Sequence, residues 1–508
     1  MINFIYKNSN LLIFGFLIAF ASGFGQTFFI SLFSEDFRET FNLSNTQFGS
    51  LYSIATILSA LTIIWAGKLI DTVSLKKYTL AIVLGLSITC FFASIVFNVI
   101  LLFFIIYFLR LFGQGLMGHT SRTTMARYFK ANRGKALAIS GFGFSFGEMI
   151  YPFVVVILIL TFGWRITWFS SSIFIILFFG VFLYYLLSKN NFRSETGFEN
   201  EDEQKSFSWR RRDVLKDLKF YLYLPLTLFM SFTVTGFLFH QVFIGQLNNW
   251  TMLDIAQSFI FYAVCGIGGS LVSGFLVDKL SGRKVITFHL VPMALIFIVM
   301  LFSNHIYVLY LYMAGLGLSN GFTENMSNSL WAEMYGVKNL GAIRALLTFF
   351  GVLASAASPF LYGLILDETN SINTLIYMSL ALIIIFSSIV YFFKNPVIRM
   401  NHFTVISLMI LMISLTFRFD INKHKTKFVS IILFIGLLFN LSKNLQRIYD
   451  NNFVNNPYRM ISEKVTKQKK KNLDDFTYYI GWYGEAPISS GEIKDRKFKK
   501  MFIFKVLH

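Results

Sequence analysis

The sequence predicts an all-α polytopic membrane protein: two six-helix bundles, twelve membrane spans in all, and a C-terminal extension with up to two further hydrophobic segments. Three observations predict it. Apolar runs of about 20 residues, the length that crosses a hydrocarbon core, recur along most of the 508-residue chain. A short polar turn occurs twice, as Gly67, Asp71, Lys76 and Lys77 and as Gly274, Asp278, Arg283 and Lys284, with copies 207 residues apart (274 − 67 = 207) and identical offsets from the glycine. Only 14% of residues are charged, against about 25% in soluble domains, so the chain lacks the charge that a water-facing surface demands.

The elements follow in order. Spans at 9–33, 47–70, 78–98, 99–120, 135–160 and 164–187 make an N-terminal bundle over residues 1–187. The first is too long for a cleavable signal peptide and lacks a small-residue cleavage site. Residues 188–218 form a polar linker that combines Glu199, Glu201, Asp202 and Glu203 with Arg210, Arg211 and Arg212. Spans at 219–245, 255–277, 285–303, 306–330, 342–366 and 372–393 make a second bundle over residues 219–395. Glycine clusters within the spans, such as Gly113, Gly115 and Gly118 or Gly315, Gly317 and Gly321, allow helix backbones to approach closely where no hydrophobic force drives them together. Pro152 and Pro359 sit at equivalent places in the fifth and eleventh spans, marking bending points near a central cavity. Cys90 and Cys265 both lie in apolar spans, which argues against a disulfide framework.

The formal charge of +19 raises the question of nucleic acid, and its distribution answers it. Cations gather in alternate loops: Lys76 and Lys77, then Arg122, Arg127, Lys130, Arg133 and Lys135, then the linker arginines, then Arg283 and Lys284. The first intervening loop, with Glu35, Asp36, Arg38 and Glu39, is net acidic. This positive-inside asymmetry places the N-terminus and linker in the cytoplasm of a bacterial-type inner (plasma) membrane. No nucleic-acid motif accompanies the charge. A phosphate-binding glycine loop is missing as well, and so is metal-ligand spacing, which argues against ATP-driven transport, metal sites, cofactors and enzymatic chemistry.

Residues 396–508 differ in character. Two short apolar runs, 403–417 and 428–442, flank a basic turn, and a lysine-rich tail follows. At 1.5 Å per residue each run reaches about 22 Å, short of the ~30 Å core. The tail faintly resembles the ends of bacterial envelope-glycosyltransferase-type membrane proteins. That suggests an alternative reading in which a fused tail docks a protein partner or serves envelope assembly.

Over residues 1–395 the chain resembles the major facilitator superfamily. The repeated turn is similar to that family's signature between the second and third helices of each half, and Arg110-Leu-Phe-Gly113-Gln114-Gly115 to its fourth-helix motif. Tyr128-Phe129, Arg133-Gly134-Lys135-Ala136 and Tyr335-Gly336 with Leu340 to Arg344 resemble the monocarboxylate and oxalate/formate branch. Thr72 and Ser74 depart from the turn pattern, and the eighth and eleventh spans lack the interior cation of anion-transporting relatives. The resemblance implies a secondary transporter of a small solute, a small organic anion on the branch likeness, working by rocking of two bundles.

Ionisable groups inside spans are costly and therefore functional candidates. Arg110 can pair with a carboxylate, bind substrate or clamp a backbone carbonyl. Glu148, four residues before Pro152, can exchange a proton or serve packing alone. Glu324, beside Asn320 and Asn325, is the stronger proton-coupling candidate. His240 is expected at the membrane interface, with Gln241; Gln26 and Thr27, in the glycine-broken first span, face them across the pseudo-symmetry axis. In the repeated turn, Asp71 and Asp278 are expected to accept hydrogen bonds from a helix N-terminus of the opposite bundle. Lys76, Lys77, Arg283 and Lys284 would hold the turns at the headgroup surface.

Overall fold

A computed structural model describes residues 2–129, 132–189, 209–336 and 339–394. The chain divides into two units, Met1–Phe419 and Asp420–His508, and every described residue belongs to the first. Most of the linker, both apolar runs of the extension and the tail with its expected partner lie outside the described residues.

Among the described residues, twelve helical segments carry the architecture of that unit; nine are long and apolar enough to cross a membrane, ten with the bent pair. In the first half they are α1 (Ser9–Phe41, bent by 43° between Gly25 and Thr27), α2 (Asn45–Thr72), α3 (Leu75–Ser94), α4 (Val99–Tyr128), α5 (Arg133–Phe162) and α6 (Trp164–Ser188). The second half holds α7 (Leu218–Phe239), α8 (Met252–Leu280), α9 (Val291–Phe302), α10 (Ile306–Tyr335), α11 (Leu340–Thr369) and α12 (Ile372–Lys394). Among the described residues no strand occurs.

Several helices outrun their apolar stretches. α4 was expected to stop at residue 120 and α1 at 33; they continue to Tyr128 and Phe41. Hydropathy marks where the hydrocarbon ends, whereas a helix ends where its backbone is capped. The caps explain why the halves match so closely. α4 and α10 begin and end 207 residues apart (306 − 99 and 335 − 128), and so do α5 and α11 (340 − 133 and 369 − 162). Ser44 opens α2 with a capping box to Gln47, and Thr251 opens α8 with one to Asp254. Asn42 and Asn249, like Gly163 and Asn370, adopt positive φ at matching helix ends; glycine and asparagine tolerate this conformation best. Pro152 and Pro359 obey the same spacing. The repeat is thus written in local chain chemistry and runs without insertion from the second helix through the fifth of each half.

The core is aromatic and aliphatic. In the first half Phe24 and Phe29 pack on Tyr151, and Trp168 packs on Phe29 and Phe33. In the second, Phe237 packs against Phe297, Tyr312 and Tyr362. Large apolar side chains such as Leu160, Leu177 and Leu271 remain exposed on the outer faces of the helices, as a lipid-facing surface requires.

Candidate functional site

The bend in α1 creates the first element of the site. Gln26 is extended there (φ −81°, ψ 156°), so the carbonyl of Gly25 loses its helical donor; Phe29 bonds to Gln26 O instead. A freed carbonyl inside a membrane protein must find another donor. Arg110 supplies it. Its Nη1 donates to Gly25 O at 3.3 Å and to Thr27 Oγ1 at 3.4 Å, and its Nε donates to Thr56 Oγ1 at 3.1 Å. The guanidinium lies 5.0 Å from the Tyr52 ring, and Tyr52 Oη and Thr27 Oγ1 share a 2.7 Å hydrogen bond. Arg110 sits on a π-helical stretch, Leu109–Met117. α4 crosses α1 so closely that a Cβ on Gly25 would lie 2.1 Å from Leu109 O. Only 2% of Arg110 is exposed. Of the roles open to it, the structure assembles the carbonyl clamp.

The second element spans the two halves. Glu148 of α5 is half-buried and within electrostatic reach of Glu324 of α10 and of Tyr262 of α8. Asn320 Nδ2 donates to Tyr262 Oη at 3.1 Å. Glu324 and Asn320 are exposed, so the Glu324 carboxylate is accessible. Asn325 is different: its Nδ2 donates to Ser270 O and Oγ at 2.7 and 2.9 Å, and it ties α10 to α8. Gln26 is half-buried at the α1 bend.

His240 and Gln241, expected at the membrane interface, are both buried among helices. His240 is 3% exposed and its Nε2 lies 2.8 Å from the carbonyl of Pro359. A carbonyl only accepts, so Nε2 carries the proton. The residue is drawn inward because α7 ends at Phe239 and the chain turns beneath α11 before the short helix Gln241–Leu247. Gln241 crosses to the other half, its Nε2 donating to Phe28 O at 3.2 Å and to Ser31 Oγ at 2.9 Å.

The repeated turns occupy one end of the bundles. Asp71 pairs with Arg127, at the end of α4 in its own half, and Arg127 also donates to Ile70 O at 3.3 Å. Among the described residues, the partner of Asp71 is Arg127 of its own half and not the opposite-half helix N-terminus expected for it. Lys76 Nζ lies 4.0 Å from the Tyr184 ring centroid, and Lys77 is exposed. Gly67 and Gly274 lie within helical backbone near the turns, and Asp278 and Lys284 are exposed. In the second copy the polarity is reversed. Glu333, at the end of α10, accepts from the amides of Gly282 (2.7 Å) and Arg283 (3.3 Å), while Arg283 Nη2 donates to Glu333 O at 3.0 Å.

The opposite end, where α2 begins, is tied shut between halves. Phe239 packs on Phe48 and Tyr52, Phe28 on Phe259, and Arg38 over Phe243. Gln246 bonds to Glu35, and Asp367 of α11 accepts four hydrogen bonds from Asn45 and Thr46 of α2. Arg127, Glu333 and Asp367 escaped the sequence reading as partners. Each stands near a helix end, where a charge is unremarkable, and the 207-residue offset does not link them, since it carries Arg127 onto Met334.

The Major Facilitator Superfamily model matches the chain at residues 15–359 and 226–439. No curated protein matches it. Two solved structures of a bacterial homologue of the human lysosomal transporter Spinster share the fold at 14% identity. One, inward-facing and unoccupied, has a TM-score of 0.57 over 80% of this chain and 95% of that one. The other, inward-facing and occupied, scores 0.58 over 76% and 96%.

Proposed function

The chain belongs to the major facilitator superfamily, and we propose that this membrane transporter is a secondary active one, coupling a small solute to a proton by alternating access. One observation carries the reading: Glu148 and Glu324 come from opposite halves and lie within electrostatic range of each other. Carboxylates inside spans mark substrate and proton pathways. A pair split between the bundles feels every rocking motion, because separating the halves changes the repulsion between the two charges. Protonation of one member relieves that repulsion, which is the differential interaction that coupling requires.

The charge asymmetry supports a cytoplasmic N-terminus and turn end in a plasma membrane. On that orientation, the end tied shut between the halves faces outward. A small organic anion is the substrate class that the branch resemblance favours. Arg110, the cation that would meet it, is engaged by Gly25, Thr27 and Thr56, so an anion has to share that clamp or bind by neutral donors such as Asn320 and Tyr262.

The test is solute-induced thermal stabilisation of the purified protein against carboxylates, sugars, amino acids and drugs at two pH values. A stabilising solute whose effect falls in Glu148→Gln or Glu324→Gln supports the carboxylate pair as the site. A solute that stabilises wild type and both variants equally would place binding elsewhere.

A further inference from the structure

The start of α2 is completed by the other half of the molecule. A helix leaves its first amide N–H groups without internal partners. Ser44 Oγ serves the Gln47 amide, and Phe48 bonds back to Ser44 O. The two remaining amides go to Asp367 near the end of α11: Asn45 N donates to Oδ1 at 3.1 Å and Thr46 N to Oδ2 at 2.7 Å. Both side chains join them, Asn45 Nδ2 at 2.9 Å and Thr46 Oγ1 at 2.6 Å. Four donors thus converge on one carboxylate at a helix N-terminus, the position where an anion is most favoured.

Two further features set this contact apart from ordinary helix packing. Beneath it the backbones of α2 and α11 nearly touch: a Cβ on Gly49 would lie 2.4 Å from Pro359 O, and one on Gly363 2.6 Å from Asn45 O. The internal repeat does not supply the aspartate either, since the residue 207 positions earlier is Leu160 (367 − 207 = 160). The two helices run antiparallel, and each carries an aspartate at its far end. Asp71 lies 26 residues beyond the first residue of α2, Asp367 27 beyond the first residue of α11 (71 − 45; 367 − 340). At one end the aspartate is bound to the partner helix; at the other, Asp71 is held by Arg127 within its own half.

We propose that Asp367 is a gating residue for the transport cycle: its carboxylate, seated on the N-terminus of α2, latches the outer end closed and must be released each time that end opens to solute. This rests on the transport reading above. Release gives up four hydrogen bonds at the start of α2, so the latch weights the equilibrium toward the outward-closed conformer.

The test uses the full chain in lipid nanodiscs, with Cys90 and Cys265 replaced by alanine. Spin-label pairs report each end: Thr40 with Asn373 at the latched end, Thr72 with Lys279 at the turn end. Asp367→Ala removes the carboxylate. Asn45→Pro removes both donors to Oδ1 while leaving the helix start intact, since proline suits the first helical position and Ser44 before it is already extended. Both variants are expected to shift the ratio of long to short distances at the latched end by at least about fivefold toward open, with the opposite change at the turn end. If wild type samples two distance populations whose ratio neither variant alters, the latch is wrong and the transport reading stands. If wild type and variants hold one identical distribution at both ends, the rocking itself is refuted and the latch falls with it.

Discussion

Replacing Arg110 separates a clamp from a solute ligand. In Arg110→Met the carbonyl of Gly25 loses its donor in a site that water does not reach, which costs about 1–3 kcal/mol. The cation–π contact with Tyr52 adds ~1–2 kcal/mol when desolvated. Thr27 and Thr56 can turn their hydroxyls, and Thr27 keeps Tyr52 as a partner, so their loss adds little. Methionine fills much of the space and removes the cost of burying a charge, which offsets part of the total. The net expectation is a loss of about 2–4 kcal/mol, or a fall of roughly 4–8 °C in Tm for a large domain, followed by intrinsic tryptophan fluorescence at one fixed scan rate. Arg110→Lys should recover only part of it, because one ammonium cannot serve both Gly25 and Thr56 in the geometry of the guanidinium fork. The reasoning fails if Arg110→Met unfolds at the wild-type temperature while losing all solute-induced stabilisation; Arg110 would then be a substrate ligand whose hydrogen bonds contribute nothing to the fold.

Other consequences are equally direct. Gly49→Val places methyl groups against the Pro359 carbonyl, so the outer end should stay open, seen as raised labelling of an outer-cleft cysteine by a membrane-impermeant maleimide. Asp71→Asn breaks a pair whose side chains are 43% and 61% exposed. Such pairs are worth only ~0–1 kcal/mol, so Tm should hardly change while cysteine accessibility at the turn end shifts; unchanged labelling would deny Asp71 a conformational role. His240→Phe strands the Pro359 carbonyl and should cost about 1–3 kcal/mol in thermal unfolding. Truncation after residue 395 should leave solute-induced stabilisation intact, and loss of a co-purifying protein in that variant would identify the tail as a docking element.

The helical class, pseudo-symmetry and the duplicated turn were legible because each is a local property. Lipid demands apolar runs, and both halves reuse the same caps at the same spacing, as Ser44 and Thr251 illustrate. Arg110, Glu148 and Glu324 stood out because charge in an apolar run is rare. Their partners could not be read, since these depend on helix crossings: Arg110 is claimed by the Gly25 carbonyl only because α1 bends there and α4 packs against the bend. His240 looked interfacial from its place along α7, yet α11 packs over it and its bonding is internal. Asp367 went unnoticed for the converse reason. A single aspartate at the end of a span is unremarkable in one dimension, and its meaning comes entirely from the α2 N-terminus that the fold sets beside it.

The central claim is that solute movement is tied to a proton through carboxylates shared between the halves. It is tested most directly in proteoliposomes, with a solute identified by thermal stabilisation and an imposed pH gradient. Wild type should move the solute against its own gradient, and Glu324→Gln should abolish that uphill movement while still exchanging labelled for unlabelled solute across the membrane. Uphill transport that survives in both Glu324→Gln and Glu148→Gln, or wild-type flux that only ever runs downhill whatever the pH gradient, would contradict it.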